Sequence, residues 1–188
     1  LYGIDNTFLS RALAAEIFEP YRSSALDAVP AALQVDPRAR VTPIDYGDVC
    51  LNLDRAAFAD GSLPTPAGLD DLTDPALAGT VVVQNPATSS PGLAFLLATI
   101  AYFGEDPETG WRAFWEDLRA NDVAVTSGWE EAYYSSFSGG AGGGDRPIVV
   151  TSASRPAAEV LGTDPDAEIS PTSAVDGGCF RQIEFAGI

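Results

Sequence analysis

Residues 80–84 read Thr-Val-Val-Val-Gln, a short unbroken apolar run closed by a polar side chain. A run of this length without alternation predicts a strand covered on both faces. Residues 147–151 (Pro-Ile-Val-Val-Thr) and 123–126 (Val-Ala-Val-Thr) repeat the pattern. Between these runs the spacing becomes helical. Residues 91–103 are apolar almost all round, opened by Pro91 and closed by Gly104, the two residue types a helix favours at those ends. After Asp106-Pro107, the residues Trp111, Phe114, Trp115 and Leu118 fall on one face and predict an amphipathic helix opening at that Asp-Pro. Ser127-Gly128-Trp129-Glu130 has the Ser-x-x-Glu form of a capping box and predicts a helix to about Phe137, followed by a flexible glycine-rich stretch at 138–144. A further helix is expected at 156–161 and a last strand at 179–185. Upstream, the pattern predicts a short helix at 7–17, an irregular Ala/Pro-rich stretch to Arg40, a strand at 41–53 and a loop-rich crossing at 54–78. Leu69-Asp70-Asp71-Leu72 forms one helical turn in that crossing. Strand and helix alternate after residue 45, so the fold class is α/β in layers, with no internal repeat.

Three of the expected strands end in hydroxyl-rich turns that start helices: Thr88-Ser89-Ser90, Thr126-Ser127-Gly128 and Thr151-Ser152-Ala153-Ser154. In an open sheet with parallel strands such ends collect along one edge, where ligands bind. Each helix start offers unpaired N–H donors and partial positive charge. A single turn of this kind would be read as helix capping; three in succession predict a cleft wall suited to a polar or anionic ligand.

Composition narrows the function classes. The chain has 188 residues, enough for one or two domains, and 46% are apolar. Twenty-seven acids against ten bases give a net charge of −17, which argues against nucleic-acid binding. All ten bases are arginines, and His and Met are absent. Without His there is no Ser-His-Asp or Cys-His machinery, and without Lys no Schiff-base chemistry or phosphate-loop lysine. A hydrolase built on Ser89 or Ser90 would have only carboxylates as base and lacks the Gly-x-Ser-x-Gly elbow. No cofactor is expected and no apolar run reaches membrane-spanning length. The chain reads as a piece of a longer protein. Cys50 and Cys179 both sit in strand-like segments. They would be either buried free thiols or a bridge between neighbouring strands; the bridge is preferred, and it implies an oxidising compartment.

Four blocks in order, Gly3-Ile4-Asp5-Asn6, Asp45-Tyr46-Gly47, Asn85-Pro86-Ala87-Thr88-Ser89-Ser90-Pro91-Gly92-Leu93 and Gly128-Trp129-Glu130-Glu131-Ala132-Tyr133, resemble periplasmic thiamine-binding proteins, the solute receptors of thiamine ABC transporters. The resemblance covers nearly the whole chain. It implies a type 2 periplasmic-binding-protein-like lobe, with a mixed, mostly parallel sheet flanked by helices. It also implies a receptor that closes on its ligand about hinge strands. Residues 1–44 would then belong to a first lobe, 45–182 would form the second lobe, and 183–188 would return toward the first. The implied ligand is thiamine or a phosphorylated thiamine, and the implied partner is an ABC-transporter permease. The location would be extracytoplasmic, periplasmic or held at the cell surface by a lipid anchor.

Carried over residue by residue, Ser89 matches a serine that contacts the ligand phosphate in that family, and Trp129 matches the tryptophan of the same site. Thr88, Ser90, Tyr46, Ser152, Arg155 and Tyr133 complete the expected ligand-binding set, with Arg155 as a cation at the cleft. Two positions depart from the family, which has aromatics where this chain has Ser152 and Ala158. Each such ring would contribute about 1–3 kcal/mol if it stacked as aromatics do on nucleobases. Three alternatives stand beside this reading: a receptor for another small polar or anionic solute, a ferric-iron receptor using Tyr133-Tyr134, and a non-catalytic interaction module. Adjacent helical side chains diverge by about 100°, which disfavours the iron reading.

Overall fold

The computed structural model describes residues 1–163 and 167–188. Its strands are β1 (Tyr2–Asp5), β2 (Val41–Asp54), β3 (Val81–Gln84), β4 (Ala124–Thr126), β5 (Ile148–Ser152) and β6 (Thr172–Gly187). Its α-helices are α1 (Asn6–Ala14), the single turn α2 (Arg55–Phe58), α3 (Ser90–Phe103), α4 (Trp111–Ala120) and α5 (Arg155–Thr163). Hydrogen bonding joins the strands in the order β1-β6-β2-β5-β3-β4. β3 runs parallel to β4 and β5, whereas β2 is antiparallel to β5 and β1 to β6. The sheet is therefore mixed, and its parallel part is β5-β3-β4.

By internal packing the chain forms two units: unit 1 is residues 1–47 with 181–188, and unit 2 is residues 48–180. In unit 2, side-chain alternation sends Val49, Leu51 and Leu53 of β2, Val81 and Val83 of β3, and Ile148 and Val150 of β5 to one face. There they meet Leu69, Leu72, Leu77, Phe95, Phe114 and Leu118. Val82 and Val149 face the other way, against Ala132, Tyr133 and Phe137. The unbroken apolar runs have the physical cause their pattern predicts: both faces are covered.

Helix α3 starts at Ser89, whose extended backbone and Oγ cap it, and stops at Gly104, where φ is +70°. It begins close against β3. A Cβ on Gly92 would lie 2.5 Å from the Gln84 carbonyl oxygen, so only glycine fits. Helix α4 packs on α3 through Phe114 stacked on Phe103 (4.5 Å, 20°) and through Trp115, whose Nε1 donates to Thr99 Oγ1 at 3.0 Å. It opens at Trp111, not at Asp106-Pro107. The Asp106 carboxylate instead accepts from the Glu108 and Thr109 amides and folds a separate turn ahead of the helix.

Unit 1 has a smaller core of Leu9, Ala12, Phe18, Val41, Ile183 and Phe185. Asn6 fastens α1 to β6, donating from Nδ2 to the Arg181 carbonyl and accepting from the Ile183 amide, both at 3.0 Å. A buried Arg40–Asp36 pair (2.9 Å) adds a bond from Arg40 Nη1 to the Leu13 carbonyl. Helix α1 ends at Ala14 rather than Ile17, since Glu16 adopts φ 52°. The last strand runs from Thr172 to Gly187, well beyond the expected 179–185. It lies beside β2, and Cys50 and Cys179 are joined in a disulfide with their Cα atoms 4.4 Å apart.

Candidate functional site

The first of the three hydroxyl-rich turns leaves β3 at Gln84. The Asn85 amide donates to the Thr126 carbonyl at 2.8 Å, and the Asn85 carbonyl accepts from the Thr88 and Ser89 amides, which bends the chain sharply. Ser89 is buried at 7% exposure, and its Oγ accepts from the Gly92 amide at 3.4 Å. The structure thus places Ser89 as the N-cap of α3, satisfying one of the donors a helix start leaves open. Ser90 is the first residue of α3 and is half-buried. Thr88 is exposed, and its hydroxyl donates to the Ser127 carbonyl at 2.6 Å, tying the first turn to the second.

In the second turn, the Ser127 amide and hydroxyl both donate to Glu131 Oε2, at 3.0 and 2.7 Å. The acid of the box is Glu131, not Glu130. Those donors, the hydroxyl first, hold the Glu131 carboxyl below its ordinary range. The register moves because the segment Glu131–Ser136 is a π-helix, in which the Phe137 amide reaches back five residues to the Ala132 carbonyl at 2.9 Å. Such wide turns are rare and recur at functional sites. Trp129, two residues before it, is half-buried. Its indole N–H donates to Thr151 Oγ1 at 2.7 Å, and its ring stacks on Tyr133 at 5.1 Å and 19°. The second turn is thereby fixed to the end of β5.

In the third turn Ser152 and Ser154 share a hydroxyl contact of 2.7 Å, and α5 begins with Arg155. The Arg155 guanidinium lies 4.4 Å from the Tyr133 ring and 5.1 Å from the Trp129 ring, with Nη2 on Glu159 Oε1 at 3.1 Å. Tyr133 is wholly buried, and its hydroxyl donates to Glu159. Burial, then that bond, pushes its phenol up to about 12. Ala158 is exposed.

The expected residues therefore separate into groups. Thr88, Trp129, Ser152 and Arg155 stand on three turns linked by hydrogen bonds or ring contacts. Ser89 and Tyr133 lie inside those turns. Tyr46 belongs to unit 1, where Arg181 lies 4.8 Å over its ring and a groove of about 330 Å³ runs past it along Pro43, Ile44 and Asp45. Arg155 is paired with Glu159 and both rings rather than standing as a lone cation. Tyr133 and Tyr134 set their rings at 84° to each other, and the Tyr133 hydroxyl is committed to Glu159. Among the described residues no group of three or more His, Cys, Asp or Glu is placed to hold a metal ion. Glu159 is the residue that motif reading missed, although its place four residues after Arg155 is the spacing of a helical ion pair.

Residues 2–173 match the model of the bacterial extracellular solute-binding protein family. This chain belongs to that family. The thiamine-binding periplasmic protein of Escherichia coli K12 is 30% identical over 98% of this chain and 51% of its own length. That of Brucella abortus is 29% identical over 98% and 50%. A solved periplasmic thiamin binding protein superposes with a TM-score of 0.76 at 26% identity, covering 98% of this chain and 53% of its own. The chain thus spans about half the length of the relatives it matches. Solute-binding proteins of this family are extracytoplasmic, a setting in which a bridge such as Cys50–Cys179 persists. Among the described residues no helix is long and apolar enough to cross a membrane.

Proposed function

We propose that the chain is the ligand-binding portion of an extracytoplasmic receptor that delivers thiamine or a phosphorylated thiamine to an ABC-transporter permease. Identity of 30% to a thiamine-binding periplasmic protein over 98% of the chain carries this reading. The three joined turns supply the chemistry. Trp129 offers a half-buried ring at the wall, and the starts of α3 and α5 supply donors and partial positive charge for an anionic group. Unit 2 is read as one lobe of the receptor, and unit 1 as a portion of the other. The role assigned is binding without catalysis.

A second reading rests on one specific observation. Ser152 and Ser154 form a hydroxyl pair, and Ala158 is exposed, at the positions where the resemblance calls for aromatic rings. A wall richer in hydroxyls and poorer in rings suits a more polar solute. Calorimetry on the full-length receptor with thiamine and thiamine monophosphate decides between them. The thiamine reading expects saturable binding of at least one; no heat from either, together with a different small molecule co-purifying by mass spectrometry, would move the assignment to that solute.

A further inference from the structure

Glu159 is a carboxylate at 4% exposure, and burying such a group is costly unless donors surround it. It accepts from the Tyr133 hydroxyl and from Arg155 Nη2. Tyr133 lies stacked against Trp129, and Arg155 contacts both rings. From the far side the chain closes on the carboxylate at Gly140, which has φ 59°. A Cβ there would stand 2.7 Å from Glu159 Cδ and Oε2. The glycine-rich stretch 138–144 is accordingly not a free tether: the Gly143 and Gly144 amides donate to the Tyr134 and Phe137 carbonyls, and Ser138 Oγ donates to Asp54.

We propose that Glu159 is a positioning residue for Trp129. The buried carboxylate pins Tyr133 and Arg155, the two side chains that support the indole, while the glycine stretch covers it from water. Thr151 Oγ1 fixes the indole edge, and the Glu159 group fixes its plane. The indole is thereby oriented before any ligand arrives, which lowers the ordering cost of binding. The effect on the indole is a property of the chain alone; its effect on affinity rests on the thiamine reading above.

The test uses the Trp111→Phe/Trp115→Phe background, in which Trp129 is the single tryptophan. Acrylamide quenching of the ligand-free chain is compared for Glu159→Gln, Gly140→Ala and, as a control destabilised away from the cluster, Leu118→Ala. Glu159→Gln and Gly140→Ala are expected to raise the quenching constant about twofold as the indole gains freedom, and Leu118→Ala to leave it unchanged. Alkaline absorbance titration should show Tyr133 ionising at lower pH in Glu159→Gln. Unchanged quenching in both cluster variants, or an equal rise in Leu118→Ala, overturns the proposal. In the full-length receptor, Glu159→Gln should weaken thiamine binding about tenfold. Raised quenching with unaltered thiamine affinity would uphold the positioning role and take the indole out of the thiamine contact; raised quenching with no thiamine binding by the unsubstituted receptor would uphold the positioning role and sink the ligand reading instead.

Discussion

Unit 2 encloses its sheet between two apolar layers, whereas unit 1 gathers one modest cluster beneath α1. Among the described residues, the largest fully buried side chains include Leu51, Leu69, Leu72, Leu118, Tyr133 and Ile148 in unit 2; unit 1 contributes only Phe185 to that set. Exposed large apolar residues show the reverse bias. Leu1, Tyr2, Ile17, Tyr21, Val35 and Ile44 all lie in unit 1. Both cores draw on Leu, Val, Ile, Ala and Phe. What differs is whether apolar surface finds a partner, and burial is what stabilises. Unit 2 is expected to be the stable, rigid part and unit 1 the part that opens first, with amides of α1 exchanging faster than those of α3.

The disulfide is the largest lever on that contrast. Both cysteines lie in unit 2 and close a loop of sequence separation 129. In the chain-entropy model such a loop contributes about 4–5 kcal/mol. Reduction should therefore pull the urea midpoint of unit 2 down toward that of unit 1. All three tryptophans lie in unit 2, so fluorescence unfolding with and without dithiothreitol reads it. An unmoved midpoint would show that packing alone sets the difference.

Paired truncations come next. Leu118 is fully buried between α4 and the sheet, and Leu9 lies at 4% exposure in the unit 1 cluster. Leu118→Ala should cost about 3–4 kcal/mol and Leu9→Ala about 2, since a small cluster collapses around a gap more readily. Leu9→Ala should speed exchange in α1 while leaving the tryptophan transition in place. Loss of both signals together would mean the units unfold as one.

Acid probes unit 1 at a particular bond. The Arg40 guanidinium beside Asp36 holds its carboxyl down at about 2. A depressed acid stabilises above the unfolded value near 4, and that contribution fades as pH falls from about 4 through 2. The loss should be up to about 2 kcal/mol, seen as faster α1 exchange over that window. Asp36→Asn should show fast exchange already at neutral pH and little further change on acidification.

The smallest effect is expected at Ser89. Ser89→Ala removes the cap of α3 and should cost unit 2 about 1 kcal/mol by thermal unfolding. In the full-length receptor, selective weakening of thiamine monophosphate over thiamine would make the serine a ligand contact as well as a cap. Equal affinities would leave it a cap.

The elements of unit 2 were legible because their signals are periodic: unbroken apolar runs for β3 and β5, one-face spacing for α4, and Gly104 after α3. Local geometry set by distant partners was not. The π-turn after Trp129 has no repeat in sequence, so the box acid moved from Glu130 to Glu131. Composition made 138–144 look flexible, yet its glycines allow the close approach that seals Glu159. At the candidate site, hydroxyl-rich turns were readable as helix starts. A serine that caps and a serine that meets a ligand carry the same signal, however, and whether Tyr133 points inward depends on Glu159, 26 residues away.

The bridge between Cys50 and Cys179 also gives residues 50–179 the topology of a ring. Entry and exit of that ring lie 4.4 Å apart at their Cα atoms, closer than the ends of an ordinary tight turn. A segment whose ends meet in this way can be spliced into a surface turn of another protein without prising its host apart. The ring also survives a single cut: a protease that nicked any one of its loops would leave the two pieces covalently joined.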